Sequence, residues 1–136
     1  MNSDYILRLI KGESVIEKIT EFCEKEKVFG ASLTGIGALK KAEIGHYSLE
    51  EKEYVTKTFE EDLELLNLTG NISLKEKKPF VHAHATLGKK DFSVIGGHLV
   101  SGTVGATLEI FMHNEGVFER KKEEETGLFL LDLEGD

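Results

Sequence analysis

One cysteine, one proline, two arginines and no tryptophan are the scarcities of this 136-residue chain. The lone Cys23 can close no internal disulfide and complete no zinc ribbon. It falls at apolar helical spacing, where a free thiol behaves as a core residue. A single proline, Pro79, excludes a proline-rich linker. Long apolar runs are missing as well. The longest uncharged stretch, Phe92 to Leu108, holds His98, Ser93, Ser101, Thr103, Thr107 and four glycines, and is too short and too polar to span a bilayer as a helix. The opening MNSDYILRLIKGE has neither the basic n-region nor the apolar core of a signal peptide, so a cytoplasmic location and no membrane segment are expected. Positive charge is short too: 17 Lys and Arg against 25 Asp and Glu leave −8, which repels a phosphate backbone unless the basic residues cluster.

With 40% hydrophobic and 31% charged residues, the chain can bury a core, and its length suits one domain over residues 1–136. One strong helix signal is present. Ser14 and Glu17 have capping-box spacing, and Val15, Ile16, Ile19, Phe22 and Cys23 recur at helical intervals, which predicts a helix over Ser14–Lys27. Most of the remainder reads as strand: Tyr5–Ile10, Phe29–Leu39, Ala42–Leu49, Tyr54–Glu60, Leu65–Leu74, Phe80–Leu87, Phe92–Val100, Gly105–His113, Val117–Lys121 and Leu128–Leu133. Gly35 and Gly37 mark a bulge or close backbone approach. The fold class is α+β, a largely antiparallel sheet packed with one amphipathic helix.

The chemistry-bearing motif is His82-x-His84, followed by His98. Residues two apart on a strand share a face, with α-carbons about 6.5–7 Å apart, which lets two imidazoles converge on one ion. Phe80–Leu87 and the strand from Phe92 form a hairpin through Gly88-Lys89-Lys90-Asp91. Pairing of Leu87 with Ser93, or a bulge at Gly96-Gly97, sets His98 opposite His82 on that face. Three nitrogen ligands with an open fourth position are the pattern of an accessible zinc site. The same histidines could line a polar cavity without an ion. His46 and His113 have no partner at metal spacing and read as surface or satisfied histidines.

Other features are weaker. The glycine-rich run Gly96–Gly105 lacks the lysine of a P-loop, Thr103 taking its place, and reads as tight strand packing. Glu64 and Glu109 sit in apolar runs, where a carboxylate acts as a base or simply points to solvent. Lys75–Lys78, Lys89–Lys90 and Arg120-Lys121-Lys122 read as solvated turns, and Glu123–Glu125 with Asp132–Asp136 as a solvated acidic tail.

The segments Leu63–Ser73 (LELLNLTGNIS), Val81–Leu87 (VHAHATL) and Val94–Ala106 (VIGGHLVSGTVGA), with Thr34-Gly-Ile-Gly-Ala38, resemble the PPC domain, the "plants and prokaryotes conserved" module, in its stand-alone prokaryotic form. The resemblance runs along nearly the whole chain. It implies an antiparallel-sheet α+β domain, assembly as a homotrimer, and histidines at His82, His84 and His98 that bind a divalent ion. Plant members add AT-hooks, Arg-Gly-Arg-Pro elements that enter the minor groove. This chain has none, its arginines being Arg8 and Arg120, so direct DNA binding does not carry over.

Three readings follow. The first is a homotrimeric PPC protein binding a divalent metal, zinc by its nitrogen ligands, or a small-molecule ligand, in a site near the subunit boundary. Another is a DNA-associated regulator acting directly or through a basic partner. The last is a metal-dependent hydrolase in which Glu64 or Glu109 moves a proton. The substrate and catalytic residues are not specified by any motif.

Overall fold

A computed structural model describes residues 3–133. The last residues of the expected acidic tail, 134–136, lie outside the described residues. The order of elements is β1 (Asp4–Ile10), α1 (Val15–Glu26), β2 (Ala31–Ser48), β3 (Glu53–Phe59), β4 (Leu63–Lys75), β5 (Lys78–Gly88), β6 (Val94–Asn114), β7 (Glu119–Lys122) and β8 (Phe129–Asp132). β2 pairs with β6 on one side and β4 on the other, while β5 pairs with both β4 and β6, so these four close into a ring. All those pairings are antiparallel. β1 extends the sheet beside β6 and β3 beside β2, and the β7–β8 hairpin joins β4 by one parallel bridge, Leu74 to Glu119.

Two pairs of expected strands are each one long strand. Phe29–Leu39 and Ala42–Leu49 merge into β2, and Phe92–Val100 and Gly105–His113 into β6. The short stretches left between these expected strands are irregularities within continuous pairing: the register of β2 with β6 shifts at Gly37/Leu39, Leu39/Lys41 and Glu43/Ile44. These shifts bend a strand without ending it, and let one strand serve two parts of the ring. The bulge expected at Gly35/Gly37 is present against β4.

Alternation decides what lies inside. On β5, Val81, Ala83, Ala85 and Leu87 are buried, so the even residues His82 and His84 stand on the other face. The core joins Leu33, Leu39, Leu65, Leu68, Leu87, Leu108, Ile110 and Met112 of the sheet with Val15, Ile19 and Cys23 of α1, which packs on β5 and β6. Cys23 is buried as expected, and burial pushes its thiol up to about 12.

The helix is capped differently from the expected box. Ser14 has extended backbone angles but makes no side-chain cap bond; it bridges to Thr103 instead, and its carbonyl accepts from Lys18 N–H at 3.0 Å. The helix ends at Lys27, whose left-handed conformation (φ 57°) turns its N–H back to Cys23 O.

Candidate metal centre

The β5–β6 hairpin sets the histidines. Its turn is tied by Asp91, whose Oδ1 accepts from Ser93 N–H at 2.9 Å and Ser93 O–H at 2.6 Å, and by Lys89 N–H donating to Ser93 O at 2.9 Å. Ser93 is thus held in the turn, and the pairing is Gly88 with Val94 and Leu87 with Ile95. This corrects the expected register of Leu87 with Ser93. His98 lies opposite His84, not His82. A slip of two residues preserves the face, so all three imidazoles still meet.

His82, His84 and His98 each offer a nitrogen, and these lie within 4.8 Å of one another. Ring centroids are 5.2 Å apart for His82–His84, 5.6 Å for His82–His98 and 5.8 Å for His84–His98. A tetrahedral zinc with ligands at about 2.0–2.1 Å needs nitrogens about 3.3 Å apart, so modest side-chain rotation closes the set. His84 is exposed and free to rotate; His82 and His98 are half-buried.

The two half-buried rings are held neutral. Burial first, then the positive charge of Arg120, then His84 and His98 lower His82 to about 4. Burial and His84 push His98 down as well. A neutral imidazole is the form that ligates metal. His98 Nδ1 is buried and has no hydrogen-bond partner among the described residues. An unsatisfied buried nitrogen is costly, and an ion or ligand that engages this ring is the simplest means of satisfying the site, so the donor set fits a divalent metal.

Backbone proximity fixes the positions. A Cβ on Gly70 of β4 would stand 2.0 Å from His82 O, so only glycine lets β4 pass so close behind that ligand. Gly97 similarly admits Gly45 O, 2.8 Å from where its Cβ would be, beside His98. The glycine-rich run is strand packing, as expected, and not an anion-binding loop.

Sequence reasoning missed the residues around the triad. Tyr54 of β3 stacks on His98 at 4.6 Å between centroids, and Tyr47 packs edge-on against Tyr54 at 4.9 Å. Arg120, expected in a solvated turn, is half-buried on β7. Its Nε donates to Ser73 Oγ at 2.6 Å, Nη1 to Phe129 O at 2.9 Å and Nη2 to Asn71 Oδ1 at 2.7 Å. Nη2 also stands 3.4 Å from His82 Nδ1. Lys75, too, lies over the Phe80 and Phe129 rings, at 4.9 and 4.4 Å from their centroids. Nothing in the spacing of Arg-Lys-Lys separates an inward arginine from outward lysines except the alternation of a four-residue strand.

The carboxylates proposed as proton carriers are elsewhere. Glu64 and Glu109 are exposed and line a different cavity, of about 460 Å³, with Ile36 and Thr107. Neither lines the cavity of about 430 Å³ that contains His82 and His98. His46 is exposed and His113 is on the surface, 3.1 Å from Asp4, in line with expectation.

A model of the Plants and Prokaryotes Conserved (PCC) domain matches residues 2–114. Among solved structures, a PPC protein of Pyrococcus horikoshii is 41% identical, with a TM-score of 0.90 over 97% of this chain and 94% of its own. The metal-containing protein of Archaeoglobus fulgidus is 42% identical, with a TM-score of 0.87 over 95% and 92%. A presumed DNA-binding protein of Bacteroides thetaiotaomicron is 30% identical, with a TM-score of 0.92 over 96% and 92%. No curated protein matches the chain. The motifs that carried the resemblance, the ring of long strands and the match over most of the length agree, and the chain belongs to the Plants and Prokaryotes Conserved domain family.

Proposed function

We propose that this protein binds a divalent metal ion, zinc, through His82, His84 and His98, and works as a homotrimer with a small-molecule ligand beside the ion. The observation that carries the reading is the convergence of three ligand nitrogens within 4.8 Å, two on half-buried rings held neutral. The metal-containing neighbour from Archaeoglobus fulgidus supports it. Nitrogen ligation favours zinc over magnesium or calcium, which take oxygen ligands. Such an ion, with a coordination position open, would polarise a ligand oxygen or acidify water. The hydrolase reading has lost both carboxylates named for it, Glu64 and Glu109.

The trimer is supported by large apolar side chains exposed on one face of β1, β6 and β2. Ile6 pairs with Phe111 and Thr34 with Phe111 across β1, β6 and β2, and Ile36 stands one row on, opposite Glu109. Ile6 is 72% exposed, Ile36 58% and Phe111 51%; they share the face with Arg8, Thr34 and Glu109, and exposed apolar side chains of this size are the kind that self-association covers.

The test is metal content of untagged protein grown in zinc-supplied medium. The parent carries about one ion per chain, and His82→Ala, His84→Ala and His98→Ala each lose it, while His46→Ala keeps it. Full occupancy in all three variants, or none in the parent, refutes the site. Light scattering reads the assembly, and a monomer mass at micromolar concentration refutes the trimer.

A second reading, association with DNA, rests on the presumed DNA-binding neighbours from Bacteroides thetaiotaomicron and Ralstonia eutropha. The charge of −8 opposes direct contact. Retardation of an A·T-rich duplex at low salt that vanishes as salt rises would favour it, and no retardation removes direct contact.

A further inference from the structure

Beside the triad, a cavity of about 430 Å³ opens between β3 and the C-terminal β7–β8 hairpin. Its size is that of a site for a small metabolite. In a chain of net charge −8, its wall holds three cationic residues, Lys52, Lys75 and Arg120, against one acid, Glu53. The remaining wall joins Phe80, Phe129 and Leu130 to Tyr54 and to two of the triad's rings, His82 and His98.

Arg120 is the group that distinguishes this cavity. Three of its five N–H donors are engaged by neutral acceptors, Ser73 Oγ, Phe129 O and Asn71 Oδ1, which fix the guanidinium without neutralising it. Among the described residues no carboxylate lies within ion-pair distance. One Nη1 donor has no acceptor among them, and one Nη2 donor has only the long 3.4 Å contact to His82 Nδ1. A half-buried, pre-oriented cation with spare donors and no counter-ion among the described residues is a receptor for an anion.

We propose that this cavity binds a small organic carboxylate, its charge received by Arg120 and its apolar body packed on Phe80, Phe129 and Leu130. A phosphate dianion suits the site less well, because Lys52 already donates to Glu124 O and Lys75 lies over the Phe80 and Phe129 rings, which leaves the two spare donors of Arg120. The hairpin that carries Arg120 and Phe129 begins after residue 114, where the family match ends. The domain thus places the triad, and the following segment selects what sits beside it. The proposal does not depend on the ion, since Arg120 is not one of its ligands.

The probe is benzoate, compared with its neutral isostere benzamide and with inorganic phosphate. Calorimetry and amide chemical shifts follow the full-length untagged protein, as purified and after EDTA treatment. Benzoate is expected to saturate one site per chain at least tenfold more tightly than benzamide in both forms, moving the amides of Tyr54, Arg120 and Phe129. Arg120→Lys keeps the charge but not the planar fork and should weaken benzoate at least tenfold; because Arg120 also anchors the hairpin, the comparison of benzoate with benzamide in the parent stands without it. Equal binding of the two, tighter binding of phosphate, or shifts confined to other residues overturns the proposal. A preference abolished by EDTA but unchanged in Arg120→Lys also overturns it, because the charge is then received by the ion and the triad reading survives alone. Protein purified without metal that still prefers benzoate refutes the triad and supports the carboxylate site.

Discussion

Gly70→Ala tests how tightly the sheet itself holds the triad. The added Cβ would lie 2.0 Å from His82 O, 2.6 Å from Ala83 Cα and 2.9 Å from Ala83 Cβ. Two of these three are backbone atoms of β5, paired with β4 as Gly70 with Ala83 and Asn71 with His82, so no rotamer change relieves the clash. β5 must move away from β4 where His82 is carried, stretching hydrogen bonds and opening the packing of buried Ala83. Overpacking of this kind costs about 3 kcal/mol. For a domain this size that is a fall of about 10 °C in melting temperature. Gly88→Ala is the control: its Cβ meets only the Leu66 side chain, at 3.3 Å, which is half-exposed and can turn aside. Its change should stay within about 0.5 kcal/mol. Urea unfolding of EDTA-treated proteins at one fixed concentration gives both values, since assembly would make stability concentration-dependent. Zinc binding to the folded Gly70→Ala protein should weaken in parallel. A Gly70→Ala variant as stable as Gly88→Ala, with unchanged zinc affinity, would refute the claim that this close approach positions His82.

Acid should destabilise the metal-free protein. Because the folded state holds His82 at about 4 against an ordinary 6.5, the unfolded state binds more protons between those values, and stability falls as pH drops through that window. His98 acts in the same direction, so urea midpoints should fall from pH 7.5 to pH 5 and fall less in His82→Gln; equal slopes would contradict the buried-neutral description. Cys23, fully buried with its thiol pushed up to about 12, should ignore a thiol reagent in native protein and react once per chain in denaturant. Rapid native labelling would refute its place in the core. Phe111→Glu, on the exposed β1–β6–β2 face, should lower the mass seen by light scattering to that of a monomer while the far-ultraviolet spectrum stays unchanged, and an unaltered mass would move the interface elsewhere.

Strand content, the helix and the shared face of His82 and His84 were legible because they rest on short-range periodicity. Alternation on β5 put His82 and His84 on one face, and helical spacing placed Val15, Ile19 and Cys23 in the core. What local pattern could not give was where strands continue through interruptions. Lys40-Lys41 looks like a turn, yet the chain runs through it as β2 because β6 pairs beside it. The register of the β5–β6 hairpin was likewise set by Asp91, whose side chain captures Ser93, and not by the strands. Arg120 was the largest omission. It is thirty-eight residues from His82 in sequence, and only the return of the β7–β8 hairpin to β4 brings it there. A cation among lysines gives no local sign that its neighbours in space are neutral acceptors and aromatic rings.

The contact between Arg120 and His82 links the two proposed ligands. Arginine has donors only, so its 3.4 Å approach needs His82 Nδ1 as an acceptor, with the ring proton on Nε2. An ion can take His82 through Nδ1, which removes the acceptor, or through Nε2, which requires the ring proton to sit on Nδ1 facing the guanidinium. Either way the Nη2 donor is released. A carboxylate that receives this donor is therefore favoured by the ion, and by linkage the carboxylate strengthens the ion's binding by the same factor. One weak, long hydrogen bond replaced by a charge-assisted one is worth about 1 kcal/mol, or a factor of about five. Zinc affinity should rise by that factor in saturating benzoate and not in saturating benzamide, and benzoate affinity should rise equally on zinc loading. Arg120→Lys, whose single ammonium cannot span both partners, should lose the coupling while keeping zinc. Coupling of the same size in Arg120→Lys would show that benzoate acts through the ion alone, and its absence from the parent would mean that the His82 contact does not restrain Arg120.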